Sequence, residues 1–180
     1  MTIANAESPP IKFLRSFLTQ TPMLLNQLVR VNEKANIANS VHFGMMKNPE
    51  QNHALCEGFI FNYDSNNPTF STVGILDRLR LSYHSQSTPN IHLVVQQYGK
   101  GKSHFAVALA NFFSQPADSS EVQGILEQVR IATGGRNNAL VDGLQAFKQD
   151  RRYLTLCLSG DHGGDLRQNF LQKLTHILDR

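Results

Sequence analysis

Apolar positions recur at helical spacing along most of this chain. Ile11, Leu14, Phe17 and Leu18 form one such set, and Thr21-Pro22 supplies an N-cap and first-turn proline for a second helix carrying Leu24, Leu25, Leu28 and Val29. Asn48-Pro49 repeats the start signal before a short helix that Gly58 ends. Residues 59–63 (Phe-Ile-Phe-Asn-Tyr) predict a strand closed by the turn-rich 64–68, and 71–83 is helical again. The polar stretch 85–90 then breaks the pattern, and 91–95 (Ile-His-Leu-Val-Val) is a short apolar run of buried-strand type. A helix is predicted over 102–113. A second is capped by Asp118, with Glu121 three residues on as a capping box, presents Val122, Ile125, Leu126 and Val129, and stops at Gly134-Gly135. Another spans 137–147 with Leu140, Val141 and Leu144, and 153–158 (Tyr-Leu-Thr-Leu-Cys-Leu) predicts a further buried strand. Asp165 caps the last helix, with Leu166, Phe170, Leu171, Leu174, Ile177 and Leu178 expected to face inward.

Strands alternating with helices predict an α/β fold: a P-loop NTPase-type parallel sheet with flanking helices, preceded by a mainly helical extension. The change of character near residue 90 divides the chain into that extension, 1–90, and a nucleotide-binding core, 91–180. Such cores wrap several parallel strands, whereas only two are predicted after residue 90. The core is therefore expected to be partial, with its remaining strands supplied by further chain or another subunit.

Composition narrows the function little. The 180 residues are 41% hydrophobic and 17% charged, which excludes disorder throughout, and a net charge of +3 is too small to argue for nucleic acid or membrane binding. DNA contact is expected only indirectly. No window reaches the ~18 apolar residues of a membrane span, and residues 1–10 lack a cationic start and an apolar stretch, so a cytoplasmic location is expected. Cys56 and Cys157 lack metal-ligand spacing and are expected to be reduced core residues. The seven histidines show no HxH or HExxH pattern, and Lys148, Arg151 and Arg152 are read as a solvated helix end.

The candidate chemistry lies in Val94-Val95-Gln96-Gln97-Tyr98-Gly99-Lys100-Gly101-Lys102-Ser103-His104, a predicted strand running through a glycine loop into a helix. In a phosphate-binding loop successive backbone N–H groups curl around the β-phosphate, and glycine permits both the sharp turn and the close approach. Gly99, Lys100 and Gly101 suit that cradle. Lys102 stands where a lysine neutralises phosphate charge in catalysis, and Ser103 where a hydroxyl ligates magnesium. The consensus Gly-x-x-x-x-Gly-Lys-[Ser/Thr] places a glycine five residues before Gly101, where this chain has Gln96.

The run Gln97-Tyr98-Gly99-Lys100-Gly101-Lys102-Ser103-His104-Phe105 resembles the nucleotide loop of large P-loop ATPases of bacterial phage-exclusion (BREX-like) and restriction defence loci, the histidine after the serine being distinctive. The likeness covers residues 91–113 well and the rest loosely. It implies ATP and Mg2+ as ligands, 97–104 as the nucleotide-contacting positions, hydrolysis coupled to a defence complex, and other domains or subunits of that complex as partners. His104 itself reads as a helix-face or core residue.

Hydrolysis also requires an acid at the tip of an adjacent strand. Asp161 is the candidate, three residues beyond the last apolar position of 153–158. Two other readings stay open: a nucleotide fold that has become an assembly scaffold without hydrolysis, and a small self-contained NTPase or kinase with Asp161 as its metal acid.

Overall fold

Local capping chemistry starts most of the helices seen in the computed structural model, which describes residues 40–83, 91–95, 97, 99, 101–135, 137–150, 152–158 and 165–178. All of these belong to one compact unit, Lys34–Arg180. The two helices expected before residue 30 lie outside the described residues. Asn48 Oδ1 accepts from the Gln51 amide at 3.1 Å and Pro49 occupies the first turn, opening α1, Pro49–Gly58. Ser71 Oγ accepts from the Gly74 amide at 3.0 Å to open α2, Thr72–Ser82. After α3, Lys102–Ser114, the cap of α4, Ser120–Thr133, is Ser119, whose Oγ accepts from Val122 N at 3.2 Å. The expected cap Asp118 lies one residue too early and is exposed. Asn137 Oδ1 accepts from Leu140 N to start α5, Asn138–Asp150, while its amide donates to Tyr63 Oη at 3.0 Å. Asp165 caps α6, Leu166–Leu178, as expected, accepting from Arg167 N at 3.0 Å.

The expected α/β sheet is not what the described residues build. Among the described residues there is no strand, and the fold there is an array of helices. Two of the three expected strands send backbone groups to helix ends, and the third leaves its apolar side chains exposed. In 59–63, Phe59 and Phe61 are buried and Ile60 is exposed, the alternation of a strand. Yet the polar groups of Asn62 go to the start of α2: its N–H donates to Thr72 Oγ1 at 2.8 Å, and its carbonyl accepts from Val73 N at 3.2 Å. In 153–158 the Tyr153 amide donates to the Phe113 carbonyl at the end of α3, and its ring packs on Phe147 and Tyr83 with centroids 5.1 and 4.4 Å away. Residues 91–95 carry Ile91, Leu93 and Val95 at 87%, 87% and 78% exposure. A pair of short strands has little stability by itself.

The core forms where α3 crosses the array. Phe105, Ala108, Phe112 and Phe113 of α3 meet Val122, Ile125, Leu126 and Val129 of α4, Val141, Leu144 and Phe147 of α5, and Cys56, Phe59, Phe61, Val73 and Leu76 from before residue 90. Residues on both sides of residue 90 thus fill one core. Burial, reinforced by the Glu121 carboxylate, pushes the Cys56 thiol up to about 12, so it stays protonated and unreactive at neutral pH. In α6 the expected inward face is not inward: Leu166, Phe170, Leu171 and Leu178 are exposed, and no residue of the helix is buried.

Two polar arrangements inside this core escape the sequence pattern. Asn52 of α1 and Asn111 of α3 are buried face to face: each amide donates to the other's oxygen, at 2.8 and 2.7 Å. Asn111 also donates to Val107 O at 3.0 Å, and Glu121 Oε1 lies 3.4 Å from the Asn52 amide instead of turning back as a capping-box acid. Lys148, expected to be solvated, is 2% exposed; its ammonium donates to the Phe113 carbonyl at 3.2 Å and stands over the Phe112 ring. Burial, with Arg152 adding repulsion, lowers its pKa from 10.5 to about 8.

Asn111→Ala removes the donor to Asn52 Oδ1 in the core and leaves the Asn52 amide only its longer contact with Glu121, and is expected to lower stability by about 2 kcal/mol in urea denaturation, with a loss below about 0.5 kcal/mol contradicting the paired arrangement. For Lys148, the unfolded chain holds a proton between about 8 and 10.5 that the folded chain has released, so this group makes stability rise with pH across that window. Urea midpoints from pH 7 to 9.5 should therefore move in favour of the parent relative to Lys148→Met as pH rises. A difference that does not change with pH would show that the amine is not held in a desolvating site.

Candidate functional site

Gly101 forms the N-cap of α3 with φ 78° and ψ 11°, and Gly99 two residues earlier has φ 75°. Both lie in the left-handed region, where a side chain strains the backbone, so the glycines of this loop serve its path. The helix begins at once afterwards: the Phe105 amide makes the first intrahelical bond, to Gly101 O at 2.9 Å. In the first turn of any α-helix the earlier N–H groups have no carbonyl a turn back to bond, and the dipole gives that end a partial positive charge. Here the turn comprises Lys102, Ser103 and His104.

The side chains of this turn point to three different tasks. Lys102 folds back over the loop, its Nζ donating to the Gln97 carbonyl at 2.8 Å, so that a cationic group closes the turn 97–102 on itself. Ser103 is exposed beside the loop. His104 is half-buried and turns to α1, its Nε2 standing 2.7 Å from Leu55 O and its ring meeting Phe59 edge-on at 5.0 Å. Since a carbonyl only accepts, Nε2 must carry the proton of that bond. Gln97, Gly99, Gly101, Lys102 and Ser103 are thus brought together at one helix end, while His104 is spent on the neighbouring helix. Gln96, Tyr98, Lys100 and Asp161 lie outside the described residues.

The arrangement gathers a glycine turn, a helix N-terminus and a lysine, the three elements with which backbone holds a phosphate. Among the described residues no group of three or more His, Cys, Asp or Glu side chains could hold a metal ion. Ser103 offers a single hydroxyl, which fits magnesium only when phosphate oxygens and water complete the octahedron. No helix among the described residues is long and apolar enough to cross a membrane. Comparisons with protein-family models, curated proteins and solved structures find no match for this chain.

The His104 bond was not readable from the sequence, because its acceptor is a backbone carbonyl 49 residues away. The Asn111 contact left a faint signal, a lone amide within the apolar run Phe-Ala-Val-Ala-Leu-Ala-Asn-Phe-Phe.

A Cβ at Gly101 meets nothing within 4 Å, so substitution there reports backbone strain alone. Gly101→Ala is expected to cost about 1–2 kcal/mol in urea denaturation, and Gly101→Asn less, because asparagine tolerates the left-handed region. Equal stability of all three proteins would contradict the loop conformation.

Proposed function

We propose that residues 97–103 bind the polyphosphate of a nucleotide, with ATP and magnesium as the ligand. The observation that carries this reading is the run of two left-handed glycines into the start of α3, with the Lys102 ammonium held over the same turn. In the bound state Lys102 exchanges the Gln97 carbonyl for phosphate oxygens, the loop amides and first turn of α3 receive the β-phosphate, and Ser103 contributes one oxygen to magnesium. As in the defence ATPases whose motif this loop resembles, the nucleotide would serve a cytoplasmic complex, and hydrolysis would need an acid and further elements from partner domains or subunits. The reading does not require a parallel sheet, since the cradle is local to the loop and one helix.

A second reading has its own observation. Ile91, Leu93 and Val95 and the apolar side of α6 are exposed, which suits an assembly module that has kept the loop and lost the ligand.

Titration calorimetry and thermal unfolding with magnesium-ATP separate the two. The nucleotide reading expects a saturable heat and a stabilisation of about 2.7 kcal/mol at a hundredfold excess over Kd, both abolished by Lys102→Ala. A silent titration at millimolar nucleotide would overturn it in favour of the assembly module, and a shift unchanged in Lys102→Ala would overturn the placing of the nucleotide on this loop.

A further inference from the structure

Helix α3 is stitched to α1 at two places. Near the loop, His104 Nε2 donates to Leu55 O; farther along, Asn111 and Asn52 exchange amide bonds. Residues 104 and 111 are seven apart, close to two full turns, so both stitches lie on one face of α3. Their partners run in the opposite sense along α1, 55 then 52. Two directional bonds on one face fix both the rotation of α3 about its axis and its register against α1, which the non-directional packing of Phe105, Ala108 and Phe112 does not. Leu55 lies in the last turn of α1, where carbonyls have no amide a turn ahead, so the imidazole fills a need that the sequence leaves open there.

Of the two stitches, only that of His104 falls in the turn that carries Lys102 and Ser103. We propose that His104 is a positioning residue for the phosphate loop: through the Leu55 carbonyl it sets the direction in which the first-turn amides and the Ser103 hydroxyl face. This inference rests on the nucleotide reading above for its ligand, and on the helix contact alone for its mechanics. Histidine in this place does not touch the phosphates. Its effect on binding passes through preorganisation, the ordering that the free protein has already met before ligand arrives.

The test compares His104→Leu, which keeps apolar contact with Phe59 and removes the donor, with His104→Gln, whose side-chain amide reaches about as far as Nε2. Magnesium-ATP affinity by calorimetry should fall about tenfold or more in the leucine variant and stay within about threefold of the parent in the glutamine variant, tenfold being the worth of one ordinary hydrogen bond. Asn111→Ala supplies the control for a merely structural role: it breaks the distant stitch and lowers global stability, yet should leave the affinity of the folded protein within about threefold. Amide hydrogen exchange without nucleotide gives an independent readout, with residues 99–105 exchanging faster in His104→Leu and at the parental rate in His104→Gln. The proposal is overturned if His104→Leu binds like the parent, or if Asn111→Ala weakens binding as much as His104→Leu does. Should the parent itself bind no nucleotide, the functional reading fails alone, and equal loop exchange in the parent and His104→Leu would then overturn the positioning role.

Discussion

The structure depends on the burial of one helix. Seven of the 13 residues of α3 are buried, among them Asn111, whose amide must find partners inside the core or forfeit the cost of leaving water. Asn52 satisfies it, and that reciprocal pair brings α1 against α3 in one register. The remaining contacts follow from this seat. Phe112 and Phe113 reach the Phe147 ring of α5, the Phe113 carbonyl collects both the Lys148 ammonium and the Tyr153 amide, and the opposite end of the helix presents the glycine turn. A loop at the end of so constrained a helix has a fixed backdrop, which a phosphate cradle needs more than it needs a sheet.

The chain spends its strand-like segments otherwise. Phe59 and Phe61 pack on Phe105, with Phe59 nearly parallel to it at 5.6 Å, and Asn62 ties the segment to Thr72 by three further contacts of its side chain and carbonyl. Tyr153 is held by rings and one hydrogen bond. Only 91–95 leaves its apolar side chains largely in water, directly before the loop. The same features thus bear on both functional readings: a helix-seated turn suited to phosphate, and apolar surface beside it suited to association.

What was legible in the sequence was local. Asn48-Pro49, Ser71, Gly101, Gly134 and Asp165 each mark a helix end found in the structure, because a cap is decided by a few neighbouring atoms. The shift from Asp118 to Ser119 as the cap of α4 is one residue, and it freed Glu121 to face Asn52. The glycine turn was equally local. The sheet was misread because alternation reports burial on one side of an extended segment and says nothing of who lies beside it, as 59–63 demonstrates. Lys148 was misplaced, and the partner of His104, itself read as a helix-face or core residue, was unforeseen, for a related reason: Phe113 O and Leu55 O are carbonyls 35 and 49 residues away, which no side-chain pattern encodes. The apolar face of α6 was read correctly as a stripe, but not as one left exposed.

The central claim, that the turn before α3 holds phosphate, is tested most directly by amide NMR of the full chain titrated with magnesium-ATP and with pyrophosphate. The account predicts saturable movement of the Gly99, Gly101, Lys102 and Ser103 amides by both ligands. Unmoved loop amides at millimolar ligand, or changes confined to residues 91–95 and α6, would contradict it.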